Sequence, residues 1–421
     1  MNRPQQHQPA AGIVIACTLD TKSAEIAFVR DELRRHGLEA IILDCGILGE
    51  PSIEPTISRA EIARAGGETI EVLREGRDRS VAIPAMIRGL EATLRRLAAE
   101  GRVLGYLGIG GGTNAALASA AFRVLPFGVP KMLVSTVAAG DTRGFIDIKD
   151  VMLVHSVVDI LGLNDFLRGI LRQACAGLAG VVRETARASA TAAAPQSRMV
   201  GLTAFGSTTP AAMRIWQTLT DTGLEVLTFH ARGTGGRAME ALVREGRFRA
   251  VVDLTITEIA DELVGGIFSA GPDRLSAAGD MGLPQLVLPG SIDMVNFGAR
   301  GTVPECFAGR TFVSHTPLST LMRTTVAENA AMAQMVAHKL NAARGPVAVL
   351  LPERGFSAYD AEGAPFHDPA ADAAFRDTLT AVVRPDIEVR RIDAHINDPA
   401  CADLASRMLR DMLSNHRIPQ P

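Results

Sequence analysis

Residues 104–120 combine a strand-like apolar run, a cluster of glycines and a second apolar run with helical spacing. This order is typical of a β-strand that leads through a loop into the N-terminus of a helix. Gly108, Gly110, Gly111 and Gly112 have no Cβ atom, so a ligand can approach the backbone closely. The first turn of the following helix presents free N–H groups, which favour an anion such as a phosphate or a carboxylate.

The spacing of these glycines leaves a structural alternative open. No Gly-Lys-Ser/Thr follows them, as in a Walker A loop, and they do not form a regular Gly-x-Gly-x-x-Gly pattern. A tight turn between a strand and a helix would explain the same residues without a ligand. We predict an anion site at this loop, with Thr113 capping the helix and offering its hydroxyl group. The predicted binding residues are Gly110, Gly111, Gly112, Thr113 and Asn114.

The same alternation of strands and helices runs along the whole chain. In the first half it predicts strands at 12–17, 38–44, 131–135 and 151–154, another that ends at Ile109, and a long helical region at 57–100. In the second half it predicts strands at 199–205, 225–229, 250–254, 285–288, 311–314, 347–351 and 387–392, and helices near 320–343 and 369–382. Strands that alternate with helices indicate parallel sheets.

We therefore predict the α/β class, with two doubly wound Rossmann-like domains, mainly parallel sheets and an interdomain cleft. Between residues 184 and 196 the apolar periodicity gives way to small residues, and the boundary is placed there. The expected organisation is a disordered lead at 1–10, an N-terminal domain at 11–190 and a C-terminal domain at 198–421.

Composition narrows the class of partner. The net charge of −3 and a content of one Trp and two Tyr argue against nucleic acid, so a small anionic ligand is expected. The odd number of five cysteines, without a C-x-x-C pair, fits a reducing cytoplasm. No uncharged apolar run of 18 residues occurs, which argues against a membrane partner.

Polar residues that follow strands are the candidates for a binding site, because open parallel sheets bind ligands beyond the carboxyl ends of their strands. Thr18, Asp20 and Lys22 follow the first strand. The first domain adds Thr136 and Asp141 after the strand at 131–135. The second domain offers a further glycine loop that consists of Gly233, Thr234, Gly235, Gly236 and Arg237.

A group of acids and imidazoles in the second domain predicts chemistry. Glu258, Asp261 and Glu262 would share one helix face, at positions i, i+3 and i+4. The candidate acid–base groups or ligands of a divalent cation are Glu258 and Asp261, together with His230 and His395 at other strand ends. An acidic first helical turn, favoured by the helix dipole, is the structural alternative.

Taken together, these segments resemble the UPF0261 family of bacterial proteins, which is similar to the N-terminal Tm-1-like ATP-binding region of the tomato mosaic virus resistance protein. The resemblance is carried by residues 17–22, 108–114, 129–141, 155–164, 233–240, 258–266, 293–298, 322–325 and 393–399. It implies two Rossmann-like domains, a homodimer and binding of ATP or a related nucleotide. In the plant relative it implies obstruction of a viral replication protein.

The plant relative also carries a barrel that resembles a phosphoenolpyruvate hydrolase, and we expect this chain to lack that barrel. A joint activity would therefore need a separate barrel protein as partner. Two hypotheses follow. The first is an enzyme of unidentified reaction that acts on a nucleotide or a phosphorylated or carboxylated metabolite between the two domains. The second is a non-catalytic, nucleotide-responsive protein that acts through a protein partner.

Overall fold

The computed structural model describes residues 10–75, 79–191 and 198–415. The chain divides into two compact units, Met1–Ala192 and Ala193–Pro421. The expected disordered lead lies outside the described residues except for Ala10, and so do residues 192–197 of the predicted boundary region. The predicted α/β class with two parallel-sheet domains is confirmed. The expected cleft between the domains stays a prediction.

The first unit contains five strands and seven α-helices within its described residues. In chain order they are β1 (Gly12–Cys17), α1 (Leu19–Arg35), β2 (Ala40–Asp44), α2 (Arg59–Ala65), α3 (Ile70–Glu75), α4 (Arg79–Ala99), β3 (Val103–Ile109), α5 (Gly112–Val124), β4 (Lys131–Ser135), α6 (Arg143–Ile146), β5 (Met152–His155) and α7 (Asp165–Thr191).

The first sheet has the order β2-β1-β3-β4-β5, and all of its strand pairs are parallel. Both faces of this sheet are buried, and its strands therefore have nearly continuous apolar sequences. Helices α2, α4 and α5 pack on one face and α1 and α7 on the other. The chain direction across the sheet reverses at β1, so the crevice between the carboxyl ends of β1 and β3 is the switch point at which such sheets bind ligands.

The second unit repeats this design with a longer list of elements. They are β6 (Met199–Ala204), α8 (Thr209–Thr220), β7 (Glu225–His230), α9 (Thr234–Arg244), β8 (Ala250–Thr255), α10 (Thr257–Val264), α11 (Ala277–Asp280), β9 (Gln285–Gly290), β10 (Met294–Phe297), β11 (Phe312–Thr316), β12 (Ser319–Arg323), α12 (Val326–Asn341), β13 (Val347–Pro352), α13 (Pro369–Val382), β14 (Glu388–Ile392) and α14 (Pro399–Asn415).

The second sheet has the order β14-β13-β9-β8-β6-β7 and is also parallel throughout. Its apolar core lies under α9, α10, α12 and α13 on one face and under α8 and α14 on the other. Its switch point lies between β6 and β8, by the same reasoning. A separate antiparallel sheet with the order β10-β12-β11 adjoins it, and the sequence analysis did not predict that sheet.

The long helical region predicted at 57–100 contains three helices, α2, α3 and α4. Gly67 follows α2 with a φ of 86°, which ends a right-handed helix. One helix prediction was wrong in its extent. The helix predicted to begin near 320 begins at Val326, because residues 319–323 form β12. Thr325 and Glu328 form a capping box there, a sequence signal that marks the true start.

Candidate functional site

A pocket of about 400 Å³ lies at the switch point of the first sheet, within the N-terminal unit. It is formed by the segments that follow β1, β2 and β3, together with α4 and the loop after β5. The lining residues are Thr18, Asp20, Thr21, Lys22, Cys45, Ile47, Leu48, Ala82, Ile83, Met86, Gly111, Gly112, Thr113, Asn114, Leu117, Asp159 and Leu161. The volume falls within the range usual for small-molecule sites.

Gly110 and Asn114 give the glycine loop its shape. Gly110 has a φ of +139°, and a Cβ atom there would lie 2.6 Å from Nδ2 of Asn114. Asn114 is buried, its Oδ1 accepts a hydrogen bond from the Thr18 backbone N–H at 3.1 Å, and its Nδ2 donates to Oγ1 of Thr18 at 3.3 Å. The glycine loop after β3 is therefore fastened to the turn after β1, across the switch point.

Gly111 and Gly112 have a different role, because the absence of their side chains leaves open space beside the backbone of the loop. An added Cβ at either position would have no heavy atom within 4 Å. Helix α5 begins at Gly112, and its N-cap residue Gly111 supplies no side-chain hydrogen bond. The prediction that Thr113 caps this helix was wrong, since Thr113 lies inside the first turn. The N–H groups of this first turn have no partner within an α-helix, and the residues that carry them line the pocket.

Lys22 places a cation at the polar end of the pocket. Its Nζ donates a hydrogen bond to the carbonyl oxygen of Ile160, and the side chain is only partly buried. Asp20 lies on the same wall, where its Oδ2 accepts a hydrogen bond from the Leu48 backbone N–H at 3.1 Å. The Asp20 carboxylate therefore orders the loop after β2, and Lys22 adds a positive charge beside the helix N-terminus.

A second part of the lining is apolar. It consists of Ala82, Ile83 and Met86 on α4, Leu117 on α5, and Ile47. Two strongly exposed side chains, Leu48 at 64% and Leu161 at 77%, also line the pocket. A ligand with an anionic end and an apolar body would match the polar and the apolar residues of this lining.

A buried ion pair between Asp44 and Arg59 lies next to the segments that line the pocket. Oδ1 of Asp44 accepts hydrogen bonds from the backbone N–H groups of Leu19 at 3.2 Å and Gly46 at 2.9 Å, and Oδ2 accepts one from Nε of Arg59 at 2.6 Å. Both side chains are buried. Sequence reasoning missed Arg59, which is 15 residues from Asp44 in the chain.

Thr136 and Asp141, which were also predicted for binding, are not among the residues that line this pocket. Thr136 begins a short 3-10 helix after β4. Asp141 is exposed and forms an ion pair with Arg143 at 2.6 Å, and hydrogen bonds from Arg143 lower the pKa of the Asp141 carboxyl to about 2.

The second glycine loop, at 233–237, is filled by a side chain of the same domain. Oε1 of Glu258 accepts hydrogen bonds from the backbone N–H groups of Gly233 at 2.8 Å and Gly236 at 3.0 Å. A Cβ atom on Gly236 would lie 2.3 Å from Oε2 of Glu258. The Glu258 carboxylate thus occupies the position at the N-terminus of α9 that a bound anion would take.

Glu258 also belongs to a buried charge cluster centred on Arg274. Nε of Arg274 donates to Oε2 of Glu258 at 2.6 Å, and its Nη atoms contact Asp253 at 2.7 Å and Glu240 at 3.1 Å. Burial raises the pKa of the Glu258 carboxyl, while the charge of Arg274 acts in the opposite direction. This geometry makes Glu258 an internal counter-ion and a positioning group for the 233–237 loop.

Asp261 lies in a separate network. Its Oδ1 accepts hydrogen bonds from the backbone N–H groups of Phe268 at 3.2 Å and Asn296 at 3.1 Å, and its Oδ2 accepts one from Nδ2 of Asn296 at 2.7 Å. Burial raises the pKa of Asp261 to about 7, against these hydrogen bonds. Glu262 accepts a hydrogen bond from the Ser269 hydroxyl.

The two predicted histidines have their own contacts. His395 accepts a hydrogen bond at Nδ1 from the Asn397 N–H at 3.1 Å, so its Nε2 donates to the Ser357 carbonyl at 2.9 Å. His230 is exposed and stacks on Phe205 with ring centroids 5.3 Å apart. Burial of part of the ring, followed by the charge of Arg232, lowers the pKa of His230. The structure therefore assigns the predicted acids and imidazoles to separate contact networks.

Within 10–75, 79–191 and 198–415, no group of three or more His, Cys, Asp or Glu side chains is arranged to hold a metal ion. Over these ranges no helix is both long enough and apolar enough to span a bilayer. A larger hollow of about 560 Å³ lies where the amino ends of β13 and β14 begin, the edge opposite to the one at which such sheets bind ligands.

Comparison with known protein families identifies both units. Residues 11–187 match the N-terminal domain, and residues 197–413 the C-terminal domain, of the uncharacterised protein family UPF0261. The chain belongs to the UPF0261 family. The predicted resemblance is therefore confirmed.

Relatives of known sequence extend this result. A UPF0261 protein of Clostridium tetani is 42% identical over 402 residues, which cover 95% of this chain and 98% of that protein. The ToMV resistance protein Tm-1(GCR237) of Solanum lycopersicum is 40% identical over 328 residues, which cover 77% of this chain but 44% of that protein. Among solved structures, UDP-N-acetylglucosamine 2-epimerase from Rickettsia bellii aligns over 97% of this chain and 96% of its own, at 11% identity and a TM-score of 0.22.

Proposed function

We propose that this UPF0261 protein binds a nucleotide, ATP or a related compound, or another phosphorylated or carboxylated metabolite, in the pocket of its N-terminal domain. The observation that carries the proposal is the uncapped N-terminus of α5, whose residues Gly111 to Asn114 line the pocket beside Lys22. An uncapped helix N-terminus together with a nearby cation is a favourable place for a phosphate.

The apolar part of the lining supports the larger part of such a ligand. Met86, Ile83 and Leu117 offer a surface on which a nucleobase or another apolar body can be buried. Gly111 and Gly112 keep the space beside the backbone open, as close approach of a phosphate requires. Asp20 and Asp159 line the same pocket and are the acidic side chains available to a divalent cation that accompanies a nucleotide.

The geometry favours binding over catalysis as the first hypothesis to test. Glu258 and Asp261, the predicted acid–base groups, each accept several hydrogen bonds from their own domain. An enzymatic reaction stays the second hypothesis, and release of inorganic phosphate from ATP with Mg²⁺ is its direct test. A cytoplasmic location, a homodimer and a separate barrel partner also stay predictions.

The decisive experiment compares two glycine substitutions. Titration calorimetry and thermal unfolding with ATP, ADP, AMP and inorganic phosphate are measured for the wild type, Gly111→Val and Gly169→Val. Gly169 lies on α7, outside the pocket, and an added Cβ there also meets open space. At 100 times its dissociation constant a ligand stabilises the wild type by about 2.7 kcal/mol, which raises Tm by roughly 5–10 °C.

Gly111→Val should abolish this stabilisation because its side chain projects into the pocket, whereas Gly169→Val should retain it. Equal nucleotide affinity in all three proteins would contradict the proposal. Loss of affinity in both variants would indicate a general effect of valine on the domain.

A further inference from the structure

A group of aromatic side chains lies at the carboxyl edge of the second sheet, in a domain separate from the pocket described above. Phe205 directly follows β6, and His230 is the last residue of β7. Their rings stack with an interplanar angle of 17°. Phe268 approaches Phe205 edge-on, with centroids 6.4 Å apart. Together with Arg232, these residues are called the aromatic platform.

Aromatic residues are scarce in this chain, at 4% of its residues, so their clustering at this edge is informative. The rings of Phe205 and Phe268 are only partly buried, and His230 is exposed. Phe205 packs in part against the buried side chains of Met294, Leu321 and Phe366, which fixes the position of its ring. The position of the platform matches the edge at which open parallel sheets bind ligands.

Arg232 gives the platform a positive charge. Its guanidinium lies 4.4 Å from the centroid of the Phe268 ring, and the side chain is exposed. Over 10–75, 79–191 and 198–415, no carboxylate lies within ion-pair distance of this guanidinium. The nearby N-terminus of α9 is already neutralised by Glu258, and the Arg232 guanidinium is a cation at this edge that is available to a ligand.

The ring of His230 also favours a ligand site at this edge of the sheet. Partial burial and the charge of Arg232 lower the pKa of His230, so the imidazole is neutral at physiological pH. A neutral imidazole on Phe205 offers a planar face to a further ring. A guanidinium presents a planar fork of donors that fits a carboxylate with two hydrogen bonds.

We propose that the aromatic platform of Phe205, His230, Phe268 and Arg232 binds a small molecule with a planar aromatic ring that bears a carboxylate. The ring stacks on the exposed imidazole of His230, which itself lies on Phe205, and the carboxylate pairs with the guanidinium of Arg232. All four residues of the platform belong to the second unit, whereas the residues that line the nucleotide pocket belong to the first.

Three small probes test the two parts of this recognition. Benzoate has both the ring and the charge, cyclohexanecarboxylate keeps the charge without an aromatic face, and benzamide keeps the ring without the charge. Ligand-observed saturation-transfer NMR detects binding in the millimolar range for each probe. The wild type should bind benzoate about fivefold more tightly than either of the other two probes.

Substitutions then separate the contributions. Arg232→Gln should remove the preference for benzoate over benzamide, and His230→Leu should reduce the preference over cyclohexanecarboxylate. Arg407→Gln, at an exposed position on α14 of the same domain, is the control and should leave both preferences unchanged. Circular dichroism confirms the fold of each variant.

Gly111→Val separates this proposal from the nucleotide pocket. Retained benzoate binding in that variant places the probe outside the N-terminal pocket and supports the platform, whatever happens to nucleotide affinity. Loss of benzoate binding in Gly111→Val would overturn the proposal, as would equal affinity for the three probes, undetectable benzoate binding by the wild type, or an unchanged preference in Arg232→Gln.

Discussion

The two glycine loops of this chain look alike in the sequence, but the fold completes them differently. At 110–114 the N-terminus of α5 has no side-chain cap, and its residues line a pocket. At 233–237 the N-terminus of α9 is occupied by the carboxylate of Glu258. The same local motif therefore serves an open site in one domain and an internal ion contact in the other.

The difference shows that a glycine loop before a helix predicts an anion but does not identify its source. Free N–H groups and the helix dipole attract negative charge whether it belongs to a ligand or to the protein. The space that an added Cβ would meet distinguishes the cases. That space is open at Gly111, whereas at Gly236 it is filled by the Glu258 carboxylate.

Removing the internal anion should have the largest effect. Glu258→Ala leaves the N–H groups of Gly233 and Gly236 without their acceptor and takes one of the carboxylates from buried Arg274. Breaking a buried ion pair costs about 3–5 kcal/mol, and we expect the lower end because Asp253 and Glu240 still pair with Arg274. Urea unfolding followed by the fluorescence of Trp216, the one tryptophan of the chain, reports on this domain.

Glu305→Gln, at an exposed position of the same domain, is the control and should unfold like the wild type. Nucleotide affinity of the N-terminal pocket should not change in Glu258→Ala. A loss of stability below about 1 kcal/mol would show that the internal anion contributes little and would weaken the contrast between the two loops.

The same substitution at both loops sharpens the comparison. In Gly236→Ala the new Cβ collides with the Glu258 carboxylate, and overpacking of this kind costs about 1–3 kcal/mol. In Gly111→Ala the φ of −79° suits alanine and the space is open, so stability should change by no more than about 0.5 kcal/mol. Urea unfolding monitored by far-UV circular dichroism measures both variants, and equal losses would contradict the assignment of an open and a filled loop.

The pH dependence of the second domain tests the neighbouring buried acid. The pKa of Asp261 is raised to about 7 in the folded state and is about 4 in an unfolded chain. Between these values the unfolded chain has lost a proton that the folded chain retains, so the contribution of Asp261 to stability falls as pH rises from about 4 to 7. The fall approaches about 1.4 kcal/mol per pH unit within that window.

Asp261→Asn removes this titration. The unfolding free energies of the wild type and of Asp261→Asn are measured with Trp216 fluorescence at pH 5, 6, 7 and 8. The stability of the wild type relative to the variant should decrease up to pH 7 and then stay constant. A difference that stays constant over this range would show that the hydrogen bonds from Asn296 and Phe268 hold Asp261 ionised.

The sequence was informative about elements whose patterns are local. Apolar strands that alternate with amphipathic helices predicted both parallel sheets, and the strand–glycine–helix order placed residues 110–114 at a strand end. Thr18, Asp20 and Lys22 were among the predicted strand-end residues, and they line the same pocket. Strand ends can be predicted because parallel strands bring their carboxyl ends to one edge.

The partners of these residues could not be predicted, because they come from distant parts of the chain. Arg274 lies 16 residues after Glu258, and nothing in its local pattern marks a buried arginine. In the sequence, the apolar residues at 82–86 were only a part of the long helical region predicted at 57–100. Burial and pairing are tertiary properties, so the predicted role of Glu258 in catalysis needed the structure to reveal its ion pair.

The smallest expected effect concerns the charge beside the open loop. Lys22→Met removes the cation next to the uncapped N-terminus of α5 and keeps the length of the side chain. A charge-assisted contact to a phosphate contributes about 1.5 kcal/mol, so affinity for ATP should fall about tenfold.

Lys149→Met is the matched control, because Lys149 belongs to the same domain and does not line the pocket. Calorimetry at low and moderate salt should show a weaker salt dependence of ATP binding in Lys22→Met than in the control, since one of the charges that attract the phosphates has been removed. Unchanged affinity and salt dependence would mean that the helix N-terminus holds the anion without Lys22, and the open loop would then depend on its backbone alone.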